Sequence, residues 1–122
     1  MISYFKSDEL VNNNENKHEN KIPVDFIDDG NRYVIYADVC GVPKEKIDIQ
    51  IKGQVLMIHA EREFEIKSGF HLSEIKTGML FKVIELKPDV DVKNAVAEYN
   101  NGLLKITIPK IKDENAFKVE IK

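Results

Sequence analysis

From Pro23 onward, apolar and polar residues alternate in short runs, each bounded by turn-forming residues. A period of two places successive side chains on opposite faces, which is typical of half-buried antiparallel strands. The pattern predicts strands at residues 24–27, 33–39, 47–51, 55–61, 79–86, 95–99 and 103–108. No long helix is predicted, so about seven or eight short strands indicate an all-β fold, two antiparallel sheets packed face to face.

The turns between these runs predict how neighbouring strands pair. The short turn KGQ at residues 52–54 predicts a hairpin between the runs at 47–51 and 55–61. Asn and Gly tolerate positive φ, so NNG at residues 100–102 predicts a second hairpin. The faces expected to enter the core carry Tyr33, Ile35, Ala37, Val39, Leu56, Ile58, Ala60, Leu80, Ile84 and Leu86.

The first 22 residues are predicted to form a flexible arm. Residues 12–20, NNNENKHEN, are polar and of low complexity, which is typical of a linker. They separate the body from an apolar patch that could pack locally or contact another protein. The patch consists of Ile2, Tyr4, Phe5, Leu10 and Val11.

Two further segments do not fit a compact single-chain sandwich. Residues 62–78 are longer than a usual hairpin connection and hold paired apolar residues, so they could carry a strand of their own. The chain stops on FKVEIK, an alternating run that follows a polar spacer. This tail could complete its own sandwich or dock on another subunit.

Composition excludes several classes of function. With 122 residues the chain fits one domain. Its formal charge of -3 provides no excess of basic residues for binding nucleic acid or an anionic membrane. A single cysteine, Cys40, excludes an internal disulfide and favours a reducing compartment. No secretory signal or membrane span is apparent, so we expect a soluble, cytoplasmic protein.

The sequence offers no catalytic or metal-binding motif. His18, His59 and His71 show no metal-ligand spacing with one another or with Cys40, so we expect no metal and no cofactor. Cys40 has no basic neighbour or second cysteine, which favours an inert thiol over a redox sensor. Because nucleophile and phosphate-binding motifs are also absent from the sequence, we expect neither an enzyme nor a small-molecule substrate.

Residues 97–110, AEYNNGLLKITIPK, resemble the A-x-x-x-N-G-x-L signature of the small heat shock proteins (Hsp20/α-crystallin family). The motif positions are Ala97, Asn101, Gly102 and Leu104. Residues 37–63 resemble the family's A-D-L-P-G-V, I-x-V and N-x-L-x-I-x-G-E-R patterns, in the same order and spacing. The terminal Val119-Glu120-Ile121 resembles its I/V-x-I/V motif.

The resemblance implies an immunoglobulin-like α-crystallin domain at residues 23–110, with a C-terminal extension at residues 111–122. It implies an ATP-independent holdase that binds unfolding client proteins and prevents their aggregation. It also implies a homodimer formed by strand exchange, in which the loop at residues 62–78 crosses to the partner, and a higher homo-oligomer built from such dimers.

The resemblance also assigns candidate sites, each carried over to matching positions. Val119 and Ile121 would dock in a groove of a neighbouring subunit, with a floor made of Ile47, Ile49, Ile51, Val96 and Ala97. The candidate dimer contacts are Phe70, His71, Leu72 and Lys82. The apolar patch of the N-terminal arm is the candidate client-binding segment.

Two positions depart from the family pattern. Cys40 stands where proline is common, so the turn loses a φ restraint. Lys82 stands where arginine is usual, and lysine cannot form a planar bidentate contact. An adaptor that shares the fold and binds one folded partner remains the alternative function, and that class would not need the V-x-I tail.

Overall fold

The computed structural model describes residues 20–111 and 119–122, and within them the chain forms an antiparallel β-sandwich. Its strands are β1 (Val24–Asp28), β2 (Arg32–Asp38), β3 (Ile47–Lys52), β4 (Val55–Arg62), β5 (Gly78–Glu85), β6 (Val96–Asn100) and β7 (Leu103–Pro109). Short 3₁₀ turns occupy Lys44–Lys46 and Val92–Asn94. The predicted all-β, immunoglobulin-like fold is confirmed.

One sheet has four strands in the order β1-β2-β7-β6, and the other has three in the order β3-β4-β5. Both predicted hairpins form, β3 with β4 and β6 with β7. Since each sheet ends in two strands paired on one side only, β1, β3, β5 and β6 are edge strands.

The core lies between the sheets and includes all ten side chains that the alternation predicted, together with Ile22, Val42, Val90, Leu104, Ile106 and Ile108. Opposite residues of an antiparallel pair share a face, and Ile35 of β2 lies opposite Ile106 of β7. In the other sheet, Ile58 of β4 lies opposite Ile49 of β3. Ile35, Ile58 and Ile106 are almost fully buried, and each such side chain contributes about 1.5–3 kcal/mol of hydrophobic stabilisation.

The end of the predicted arm lies against the body. The Ile22 amide donates to the Phe81 carbonyl, and the Phe81 amide donates to the carbonyl of Asn20. Ile22 itself is buried in the core. Residues 20–22 therefore cover part of the β5 edge. Within the described ranges, no helix has the length and apolar character needed to cross a bilayer.

Burial of His59 predicts a pH-dependent stability. His59 lies on β4 between Asp48 of β3 and Phe81 of β5, and burial lowers its pKa below the usual 6.5, although the charges of Asp48 and Glu61 oppose the shift. The folded state then binds fewer protons than the unfolded state. This contribution to stability is present above pH 6.5 and is lost as the pH falls toward the folded-state pKa.

We therefore expect the urea midpoint of the wild type to fall between about pH 7.5 and pH 5.5, above the range where carboxylates titrate. His59→Phe should flatten that dependence, whereas His71→Gln, in an exposed loop, should keep it. An equal pH dependence in the wild type and His59→Phe would contradict the assignment.

Candidate functional site

An apolar groove runs along the edge of the sandwich where β3 and β6, the outer strands of the two sheets, face each other. Its volume is about 460 Å³. Ile49 and Ile51 line it from β3, while Ala97 of β6 and Ile106 of β7 lie opposite each other in register. Because no further strand covers this edge among the described residues, the inward-facing side chains stay accessible to a segment of extended chain.

The structure brings four of the five predicted groove residues together: Ile49, Ile51, Val96 and Ala97. Ile47 is not among the lining residues; it lies opposite Ala60 and packs against the core. The sequence prediction missed four lining residues, namely Val92, Lys93, Ala95 and Ile106. Ile106 could have been found, because a two-residue turn at positions 101 and 102 fixes Ala97 opposite position 106.

The predicted docking side chains are fully available in this chain. Val119 is 84% exposed and Ile121 is 100% exposed, and residues 119–122 belong to no strand. Phe117, the third apolar residue of the tail, lies outside the described residues.

Lys110, the last residue of the predicted domain, is fixed to the body of the sandwich. The Lys110 ammonium lies 2.7 Å from Oδ1 of Asp28 and 4.8 Å from the ring centre of Tyr33. This hydrogen bond lowers the pKa of the Asp28 carboxyl and raises that of Lys110. The Ile111 amide donates to the Asp89 carbonyl at 2.6 Å, so Ile111 is fixed to the body as well.

Residues 63–77 have no regular secondary structure within the single chain. The candidate dimer contacts Phe70 and Leu72 are 50% and 75% exposed, and His71 is exposed as well. Lys82 belongs to β5 rather than to the loop, and it is half-buried opposite Ile58. Residues 63–77 thus pair with none of the strands of their own sandwich in this structure.

Arg62 holds the base of this loop, which the sequence prediction missed. Its Nε donates to the Lys76 carbonyl at 2.8 Å, and its Nη1 donates to the Cys40 carbonyl at 2.9 Å. Both ends of residues 63–77 are thus fixed beside the turn that follows β2. Residues 40, 62 and 76 are far apart in sequence, so no local pattern reveals the contact.

The N-G hairpin packs directly on that same turn. Asn101 and Gly102 have φ values of 54° and 84°, which define a two-residue turn of the I′ type. The Gly102 carbonyl accepts a hydrogen bond from the Val39 amide at 3.0 Å. Leu104, the last residue of the motif, is buried beyond the turn. This motif therefore builds the end of the groove-forming hairpin.

The remaining predicted positions take no part in these features. The client-binding candidates Ile2, Tyr4, Phe5, Leu10 and Val11 lie outside the described residues. Cys40 is exposed, with its thiol in no disulfide. In residues 20–111 and 119–122, the side chains of His, Cys, Asp and Glu do not gather in a group able to hold a metal ion.

The fold places the chain in the class of immunoglobulin-like β-sandwich domains. It combines that fold with an open edge groove and an exposed apolar tail. A family model described as Hsp20/alpha crystallin family matches residues 25–122. Heat shock protein 26 of Saccharomyces cerevisiae is 36% identical over 110 residues, which cover 83% of this chain and 51% of that protein. Small heat shock protein C1 of Rickettsia bellii is 30% identical over 124 residues, covering 93% and 74%.

Solved structures agree with the sequence relatives. A small heat-shock protein from Xylella fastidiosa, whose crystal structure reveals a distinct high order structure, superposes with a TM-score of 0.71 and 27% identity over 83% of this chain and 95% of that one. The chain belongs to the Hsp20/alpha crystallin family, a family of chaperone-like small heat shock proteins. It spans about half the length of the yeast relative.

Proposed function

We propose that this protein is an ATP-independent holdase, which binds unfolding client proteins in the cytoplasm and prevents their aggregation as a dimer-based oligomer. The observation that carries the proposal is the match between an open apolar groove and an exposed V-x-I tail on the same chain. The groove can accept alternate apolar side chains of an extended segment, and the tail supplies such side chains. This combination favours assembly between copies of the chain.

Weak docking suits a protein that must expose apolar surface on demand. Burying Val119 and Ile121 gives about 1.5–3 kcal/mol each before ordering costs, so one docked tail is readily reversible. Several tails acting together in a closed particle bind tightly through avidity. Subunits can then open and bind a client without nucleotide.

The reach of the extension allows docking on a neighbour. Ile111 is held at the body, and eight residues of extended chain span at most about 28 Å to Val119. For the dimer, β1 presents an unpaired edge, and residues 63–77 expose Phe70 and Leu72 beside an anchored base. We propose that this loop adds a strand to β1 of the partner, with Phe70, His71, Leu72 and Lys82 at the contact.

Light scattering of a heat-denaturing client tests the holdase activity directly. The protein should suppress scattering at an equal subunit ratio in the absence of any nucleotide. No suppression across temperatures, while the protein itself stays folded, would overturn the holdase and favour an adaptor for one folded partner. The N-terminal arm is tested in the same assay by deleting residues 1–11, which should weaken suppression if that patch binds clients.

The double substitution Val119→Ala with Ile121→Ala tests assembly. The two alanines remove most of the apolar side-chain area that docking would bury, so the particle mass should fall toward that of a dimer by multi-angle light scattering. Circular dichroism of the sheet should stay unchanged, because residues 119–122 are exposed and lie outside the strands. An unchanged mass would overturn the docking proposal.

A further inference from the structure

The groove carries a single charge among its lining residues, the ammonium of Lys93. Lys93 lies in the 3₁₀ turn Val92–Asn94 and is exposed at the rim. In the part of the chain that the structure describes, ion pairs engage Lys46, Lys110 and Arg32 but not Lys93. The nearby Asp91 carboxylate instead accepts a hydrogen bond from the side-chain Nδ2 of Asn94 at 2.7 Å.

The tail offers two ways of filling the groove. Its sequence, FKVEIK, places Phe117, Val119 and Ile121 on one face of an extended strand and Lys118, Glu120 and Lys122 on the other. Two adjacent apolar side chains could therefore enter as Val119 with Ile121 or, shifted by two residues, as Phe117 with Val119. The apolar groove alone does not separate these registers strongly, because both pairs are hydrophobic.

The charge between the two docked side chains does separate them. When a strand lays its apolar face into the groove, the intervening side chain points away from the groove floor into solvent, and Lys93, exposed on a long flexible stem at the groove, can approach it from the side. In the first register that side chain is Glu120, and in the shifted register it is Lys118. The first register pairs Glu120 with the opposite charge of Lys93. The shifted register brings Lys118 near the like charge of Lys93, which disfavours it.

We propose that Lys93 pairs with Glu120 of a neighbouring copy and thereby sets the register in which the tail docks. The inference rests on the proposed assembly through tail docking and names the residue that specifies it. Because the pair lies at an exposed rim, salt screens it, so the register is most strongly enforced at low ionic strength.

A charge-swap series on the full-length protein tests the pair. Lys93→Glu or Glu120→Lys alone should raise the protein concentration at which the particle half-dissociates by about three- to fivefold, as measured by multi-angle light scattering in dilute buffer. The double variant should return to within about twofold of the wild type, and all differences should shrink in high salt. Lys87→Glu is the matched control, since Lys87 is exposed outside the groove and its reversal changes the net charge equally.

Two results of this series would overturn the inference. One is a double variant that half-dissociates at as high a protein concentration as the less stable single variant. The other is Lys87→Glu raising that concentration as much as Lys93→Glu does. Phe117→Ala adds an independent check, because Phe117 does not dock in the proposed register and its loss should leave the half-dissociation concentration unchanged. A loss equal to that of Val119→Ala would indicate the shifted register. An unchanged particle mass in Val119→Ala with Ile121→Ala would reject docking itself. If that variant dissociates but the double charge-swap variant does not regain the stability of the wild-type particle, docking stands and only the Lys93 pair is rejected.

Discussion

Gly102→Ala should lower the free energy of unfolding by about 2–4 kcal/mol, because it combines backbone strain with a close contact. Gly102 has φ +84°, a conformation that costs a residue with a Cβ about 1–2 kcal/mol. A Cβ at this position would also lie 2.9 Å from the Cα of Cys40 and 3.3 Å from its Cβ. The obstacle is mainly backbone, so the β6–β7 hairpin would have to move away from the turn after β2.

That movement would disturb more than the turn itself. The Gly102 carbonyl accepts from the Val39 amide, and the Tyr99 hydroxyl donates to the Val42 carbonyl nearby. Because β6 forms one wall of the groove, docking should weaken along with stability. Urea denaturation followed by circular dichroism measures the loss of stability, and particle mass measures the weakening of docking.

Gly53→Ala is the matched control for this substitution. Gly53 also has a positive φ, +61°, but a Cβ there would meet nothing within 4 Å. It should therefore show only the conformational cost of about 1–2 kcal/mol. An equal loss in both variants would mean that the contact with Cys40 contributes nothing measurable.

Sequence alternation was sufficient for most of the fold because burial on one face of a strand has a strict period of two. The runs at 33–39 and 55–61 became β2 and β4, with Ile35, Ala37, Leu56 and Ile58 buried as predicted. The N-G turn was equally informative, since positive φ at two successive positions specifies both the turn type and the register of the hairpin.

The remaining features depend on contacts between residues far apart in sequence, which no local pattern records. Val92 and Lys93 line the groove because a 3₁₀ turn before β6 brings them to the edge of the sandwich. Ile22 was assigned to the arm because a polar linker precedes it, yet pairing with Phe81 places it in the core. The loop at 63–77 has its apolar residues exposed in the single chain, so neither periodicity nor burial determines its structure there.

Arg62→Met should loosen that loop while leaving the sandwich folded. Methionine keeps the aliphatic stem of the side chain but removes both hydrogen bonds, to the Lys76 and Cys40 carbonyls. A charged donor contributes about 1.5–3 kcal/mol per hydrogen bond, and exposure to solvent reduces this, so we expect a loss of about 2 kcal/mol in all. Amide hydrogen exchange at residues 63–77 should become faster, with little change in the strands of the core.

The same variant should also weaken the proposed dimer, because a loop with a mobile base loses more conformational entropy when it pairs with a partner. Sedimentation at decreasing protein concentration would detect this as earlier dissociation. Arg32→Met is the matched control: Arg32 pairs with Asp29 at the exposed turn between β1 and β2, and removing such a surface pair should change stability little. Faster exchange at residues 63–77 with undiminished dimer affinity would show that Arg62 orders the loop without contributing to the dimer. Equal exchange rates at residues 63–77 in the two variants would mean that the Arg62 contacts do not hold the loop, since Arg62, unlike Arg32, bonds to both the Cys40 and Lys76 carbonyls.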